Sequence, residues 1–440
     1  MPELEKPHLA RAIGRWSLAA VVVNTTIGTG VFGLPSEIAA LVGRFSPLAV
    51  LLAGMAVGVI VAVFAEVASR FSSTGGPYLY TRTAFGSFIG ILTAWLLFVT
   101  RLASAGAVTN VFINYLAEFW PSARSAMPRI AVITTLVVLL VTVNYRGVRT
   151  GIRASNFFTV AKLLPLGVFI MFGVLYMFTA APSAKADAPA PSLRAWIEAV
   201  LLFSWSYMGF ESALLPMGES KDPRRDAPIA LFAAILVSVA VYILVQVVVI
   251  GVLADPATTD RPLASAAHYF LGPGGAVLIS LGALLSTFGW MTSFMLLNSR
   301  TTFALAENRE LPPILAAIHP KFRSPYVSIV MLGILWWVFA LWGGFRWNVG
   351  FSAAGRLIYY VAVCASLPVF RRTRPDEAAL VIPGGKILAI LGIGISLVLI
   401  TRIDRTALLI LSLVVAFTLA NWLWARDHKQ SLPTPVLNRP

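Results

Sequence analysis

Two apolar runs in this 440-residue sequence are broken near their middles by residues that form hydrogen bonds rather than fill space. In SLAAVVVNTTIGTGVFGLP, residues 17–35, the interruption is Asn24, Thr25, Thr26, Gly28, Thr29 and Gly30. In AVLLFSWSYMGFESALLP, residues 199–216, it is Ser204, Ser206, Gly209, Glu211 and Ser212. If each run is a membrane helix, unwinding there exposes backbone groups that hydrocarbon cannot satisfy, which is tolerated only where they line a cavity. Such a break can hold a zwitterion. The amides of Gly28, Thr29 and Gly30 open the second half of the first helix, where the positive dipole end favours a carboxylate. Carbonyls around Thr26, Ile27 and Ser204, ending the first halves, can take an ammonium. Small residues in membrane helices also serve close packing alone; two mid-run breaks in one chain favour a site. The candidate ligand contacts are Thr25, Thr26, Ile27, Gly28, Thr29, Gly30, Ser204, Trp205, Tyr207 and Gly209.

Three basic residues fall inside or at the margin of apolar runs: Arg101 in LLFVTRLASAGAV, Lys162 in SNFFTVAKLLPLGVF and Arg356 in GFSAAGRLIYY. A charge in hydrocarbon is costly and usually marks a functional site. Burial disfavours the ammonium of Lys162 while nearby carbonyls and hydroxyls favour it, so conformation can decide whether it holds its proton. The alternative is a lysine snorkelling to the interface. Enzyme chemistry finds no constellation. His8, His268, His319 and His428 lie in tails or connectors, and no HExxH, GxSxG or GxxxxGK[ST] occurs. No cofactor or metal is implied, and one midplane site with no repeated filter ring argues against a channel.

These residues must be positioned by membrane-spanning helices. Apolar residues make up 58% of the chain, charged residues 12%, and mean hydropathy is +0.82, against roughly half apolar and a quarter charged in soluble domains. Twelve stretches approach the roughly 20 residues a span requires: 16–41, 47–69, 84–118, 129–145, 155–179, 195–217, 226–253, 272–306, 325–345, 350–370, 386–401 and 407–425. The expected organisation is a tail at 1–15, one five-helix unit at 16–179, a second at 195–370, two more helices within 386–425 and a tail at 426–440. Runs this long do not alternate as barrel strands would. The start, MPELEKPHLARAIGRW, carries no cleavable apolar segment, so the first span is expected to be retained.

The net charge of +15 is spread over short connectors, which orients a membrane protein rather than binding nucleic acid. With the N-terminus inside, the inside connectors hold more than twice the Lys and Arg of the outside ones. Both termini are therefore expected in the cytoplasm, with the chain in the cytoplasmic (inner) membrane. The lone Cys364 excludes an intrachain disulfide.

The two broken runs lie five spans apart. Five is odd, so a repeated five-helix unit inserts with opposite topology, and its broken helices meet near the midplane. TTIGTGVFGLP resembles the first-helix signature of the amino acid–polyamine–organocation (APC) transporters, and WSYMGFES their sixth-helix signature. STGGPYLYTRTAFG resembles their loop between spans 2 and 3, and LAENRELPP the cytoplasmic end of span 8. The resemblance covers residues 14–425. It implies an all-α LeuT-type five-plus-five inverted repeat plus two C-terminal helices. The implied function is secondary active transport of an amino acid or related amine by alternating access. A sensing protein of the same fold and a polyamine or cationic amine antiporter are the alternatives.

The resemblance also implies roles for individual residues. Trp205 matches a tryptophan that stacks on substrate and closes the pocket, the alternative being a core or interfacial aromatic. Glu211 matches a gate or proton-sensing glutamate, the alternative being a carboxylate held by a hydroxyl or an arginine. Arg101 and Arg356 resemble arginines of heteromeric transporter light chains and of cystine/glutamate-type members. They would suit a carboxylate side chain, or they neutralise Glu211 or Glu198. Those light chains carry a cysteine after span 3; EFWPSARSAMPR has none, so no disulfide-linked heavy chain is expected. Lys162 resembles the span-5 lysine that replaces sodium in proton-coupled and sodium-independent members. Its expected partners are the Gly28 carbonyl region and the Ser286–Thr287 pair.

Overall fold

A computed structural model of the chain describes residues 15–72, 75–146, 151–179, 190–214, 222–307 and 311–430. No strand occurs among them. The α-helices are α1 (Arg15–Thr26), α2 (Gly30–Val42), α3 (Ser46–Ala68), α4 (Gly76–Phe85), α5 (Ser87–Leu116), α6 (Ala126–Tyr145) and α7 (Gly151–Thr179). The second half adds α8 (Leu193–Tyr207), α9 (Pro223–Val252), α10 (Pro262–Glu307), α11 (Tyr326–Trp342), α12 (Phe345–Thr373), α13 (Gly385–Ile400) and α14 (Arg405–Gln430).

Seven helical stretches among the described residues are long and apolar enough to cross a membrane, the first running through α2 and α3. Three shorter apolar stretches accompany them: Leu163–Thr179, Tyr326–Trp342 and Gly385–Ile400. At 12 and 15 residues, α1 and α8 are too short to cross alone, because each stops at its break. The chain is a multi-pass membrane protein. Its surface agrees: α3 is apolar on every side, burying Ala53, Val57, Ile60 and Phe64 while exposing Leu48, Leu52 and Met55. A helix apolar all round faces protein on one side and lipid on the other.

The segment read from sequence as a loop between spans 2 and 3 contains a helix. Pro77 stands in the first turn of α4, where its missing N–H costs nothing, and α5 begins only at Ser87 rather than at 84. α10 is broken at Gly272, whose φ is +66°, before Pro273, so the 272–306 span begins at the kink and a separate short helix from Pro262 precedes it.

Packing brings the chemistry-bearing segments together. α9 lies against α1 and α3, while α5 lies against α10 and α12. Lipid tails are as apolar as leucine, so polar bonds between helices help fix such contacts. Glu66 of α3, fully buried, takes two bonds from Arg371 of α12 at 2.7 Å and one from the Ile382 amide at 3.0 Å. That cluster anchors the connector between α12 and α13.

Candidate functional site

Both sequence breaks are real interruptions of helix. α1 stops at Thr26, and its last turn closes with Ile27 N–H donating to Val23 at 2.8 Å. The Gly28 amide turns back to the Thr26 carbonyl at 2.7 Å, and α2 begins at Gly30. α8 stops at Tyr207, Met208 is extended, and a 3-10 turn resumes at Phe210–Leu214. The joint is Gly209, whose φ of +124° favours glycine and whose missing Cβ would sit 3.2 Å from the Thr25 carbonyl. The two breaks are neighbours. Tyr242 of α9, buried, donates its hydroxyl between the carbonyls of Thr26 (2.8 Å) and Ser206 (3.1 Å), which the breaks leave without helical donors.

Beside this crossing lies a cavity of about 160 Å3, space for on the order of ten waters at roughly 10–15 Å3 each, the scale of a small amino acid. Eleven residues singled out from sequence line it: Thr25, Thr26, Gly28, Thr29, Gly30, Arg101, Trp205, Ser206, Gly209, Ser286 and Arg356. Thr29 and Gly30 open α2, where backbone N–H groups lack intrahelical acceptors and the dipole end is positive. Thr26 Oγ1 and Ser206 Oγ, both buried cavity-lining hydroxyls, have no hydrogen-bond partner among the described residues.

Other sequence candidates lie behind this wall. Tyr207 is fully buried with its hydroxyl on the Val50 carbonyl at 3.0 Å, turned toward α3. Ser204 gives its hydroxyl to Val200 at 2.6 Å, and Thr287 gives its own to Ala283 at 2.7 Å. Ile27 is packed in the core. Lys162 lies on α7, but its side chain falls outside the described residues, as does that of Asn24. The expected contact of Lys162 with Gly28 and the Ser286–Thr287 pair is therefore not described.

Glu211, 1% exposed, has four donors. One oxygen takes Arg356 at 3.1 Å and the Tyr359 hydroxyl at 3.1 Å; the other takes the Tyr360 hydroxyl at 2.9 Å and the Gly209 amide at 2.9 Å. Of the alternatives open in the sequence, this geometry is that of a carboxylate held by hydroxyls and an arginine. Glu198 is occupied elsewhere, taking Arg346 at 2.6 Å.

Sequence reading missed eight cavity residues, three of them with polar side chains other than indole: Ser104, Ser293 and Asn298. An isolated serine or asparagine in an unbroken membrane helix gives no signal by itself; its bonding partners do. Asn298 of α10 accepts from Arg101 at 3.2 Å, fixing that guanidinium at the cavity wall. Arg101 and Arg356 both line the cavity, whereas no carboxylate does among the described residues. Arginine stays charged, so the site carries positive charge offset only by Glu211 behind Arg356. The same residues hold no cluster of three His, Cys, Asp or Glu. What they offer is recognition: donors and positive charge for an anionic group, hydroxyls and carbonyls for an ammonium, and the Trp205 and Trp290 rings for an apolar part.

The profile of a family described as amino acid permease matches residues 13–426. An uncharacterized transporter of Mycobacterium tuberculosis is 30% identical over 368 residues, covering 82% of this chain and 80% of its own length. A methylthioribose transporter of Bacillus subtilis is 26% identical over 446 residues, 96% of this chain and 94% of its own. The serine/threonine exchanger SteT of Bacillus subtilis is 29% identical over 339 residues, 74% of this chain and 75% of its own.

Proposed function

The chain belongs to the amino acid permease family of the APC superfamily, and from that premise we propose that it is a secondary transporter of small amino-acid-like zwitterions. It works by alternating access in a cytoplasmic membrane. The observation that carries this reading is the cavity at the crossing of two interrupted helices, lined by the start of α2, free hydroxyls and Arg101, with no lining carboxylate among the described residues. A carboxylate binds at the α2 end and an ammonium at the hydroxyl and carbonyl groups of Thr25, Thr26 and Ser206. Trp205 covers the ligand.

The same observation ranks the alternatives. A polyamine or cationic amino acid would bring a second positive charge against Arg101 without a lining carboxylate to receive it. A neutral or acidic side chain meets a complementary wall. The exchanger named for serine and threonine supports the neutral class. The relative named for methylthioribose, aligned over nearly the whole chain, supports testing small polyhydroxylated solutes as well.

The finer architecture belongs to this proposal: twelve spans arranged as two inverted five-helix repeats at 16–179 and 195–370, two helices within 386–425, and both termini cytoplasmic. So does coupling. Transport needs no sodium, and protonation of Lys162 on α7 assists movement of the first half-helix. A thermal-shift screen of the twenty amino acids, polyamines and methylthioribose tests the ligand class; stabilisation by polyamines alone contradicts it. Uptake driven by an imposed pH gradient without sodium tests coupling, and an intact pH response in Lys162→Ala removes that residue from it.

A further inference from the structure

A circuit of hydrogen bonds spans the break in the sixth-helix segment by way of two other helices. On one side of the break, Trp205 of α8 donates its indole N–H to Ser104 Oγ of α5 at 3.0 Å. Ser104 also accepts from Arg356 of α12 at 3.2 Å. Arg356 in turn holds Glu211, which takes the Gly209 amide on the far side of the break. Ser104, Arg356 and Glu211 are each at most 5% exposed.

The proton count fixes the direction of each bond. A serine hydroxyl has one hydrogen and two acceptor positions, whereas indole and guanidinium only donate. Ser352 Oγ gives its single hydrogen to the Thr100 carbonyl at 2.8 Å. The 2.8 Å contact between Ser104 and Ser352 is therefore donated by Ser104. With its hydrogen on Ser352 and its lone pairs taken by Trp205 and Arg356, Ser104 lines the cavity but has no capacity left for a ligand. Its bonds are all internal.

We propose that Ser104 is a positioning residue that holds Trp205 in its observed place, so that moving the indole over a bound ligand requires breaking the bond to Ser104. This rests on the reading that Trp205 covers the ligand. Loss of the Ser104 acceptor releases the indole, favouring the closed, ligand-covered form. KM then falls, and the maximal counterflow rate falls with it because reopening is slower. A single hydrogen bond of ordinary net strength corresponds to roughly a two- to tenfold change.

The test is a double-mutant cycle of Ser104→Ala and Trp205→Phe, the latter keeping a ring but no N–H. The readouts are counterflow in proteoliposomes and apparent affinity from ligand-induced thermal shifts. Expected are a lower KM with a lower maximal rate in Ser104→Ala, no further change in KM when Ser104→Ala is added to Trp205→Phe, and return toward wild-type values in Ser104→Thr. Additive effects, or a higher KM in Ser104→Ala, overturn the proposal. The affinity readout carries the cycle even if the wild-type protein shows no counterflow, a result that would refute transport rather than the role of Ser104.

Discussion

Gly30 and Ser206 meet so closely that a Cβ on Gly30 would lie 2.1 Å from Ser206 Oγ. Gly30 begins the half-helix after one break, and Ser206 lies in the last turn of the half-helix before the other. Their contact is the point at which the two interrupted segments cross. Gly30→Ala must turn the Ser206 hydroxyl away and would still meet Ser206 Cβ at 3.0 Å and Cα at 3.2 Å, so it should destabilise the fold by about 1–3 kcal/mol and weaken ligand-induced stabilisation. Thermal unfolding with and without ligand measures both; an unchanged midpoint with full ligand response would show that the crossing is loose.

The buried pair of Glu211 and Arg356 gives a second expectation. Removing one partner leaves an uncompensated charge in a site with almost no solvent, at a cost of about 3–5 kcal/mol. Glu211→Gln also replaces one carboxylate oxygen by an amide NH2, which then faces either Arg356 and the Tyr359 hydroxyl or the Tyr360 hydroxyl and the Gly209 amide, donors all. The melting temperature should drop sharply in Glu211→Gln and recover in part when Arg356→Gln is added. A double variant worse than the single one would contradict the pairing.

How far these contacts could be read from sequence depended on whether a residue type stands out against hydrocarbon. Glycine, threonine and serine in an apolar run did, and so did Arg101, so both breaks and most of the cavity wall were legible. Tyr207 stands among the sequence candidates beside Trp205, but residues two apart on a helix point in nearly opposite directions. Trp205 faces the cavity and Tyr207 faces α3. Tyr242 gave no signal, because an aromatic in an apolar helix looks like packing until two unwound carbonyls are placed at its hydroxyl. Arg356 could be given only alternative partners, since its choice of Glu211 over Glu198 depends on how α12 and the broken segment pack.

Trp205 supplies ring area on the cavity wall, 6% exposed. Trp205→Ala should fold and yet lose most ligand-induced thermal stabilisation, the fall in affinity being on the order of tenfold or more for an aromatic contact. A well-folded variant with the wild-type ligand response would remove the ring from recognition.

Arg101 should set preference among ligands. Arg101→Ala removes a guanidinium that Asn298 holds at the wall, so affinity for acidic side chains should fall more than affinity for neutral ones. Competition profiles of the two proteins against a panel of side-chain charges give the comparison. Identical profiles would make Arg101 purely structural.

The central claim is that the crossing of the two broken helices carries a zwitterion across the membrane rather than only binding it. Counterflow measures this most directly: purified protein in proteoliposomes loaded with an unlabelled amino acid that stabilises it, and supplied outside with trace label, without sodium. The account predicts a transient, saturable accumulation of label that requires internal substrate and is lost in Gly30→Ala. Ligand-induced stabilisation of the same preparation with no counterflow would contradict it and leave a sensor in place of a carrier.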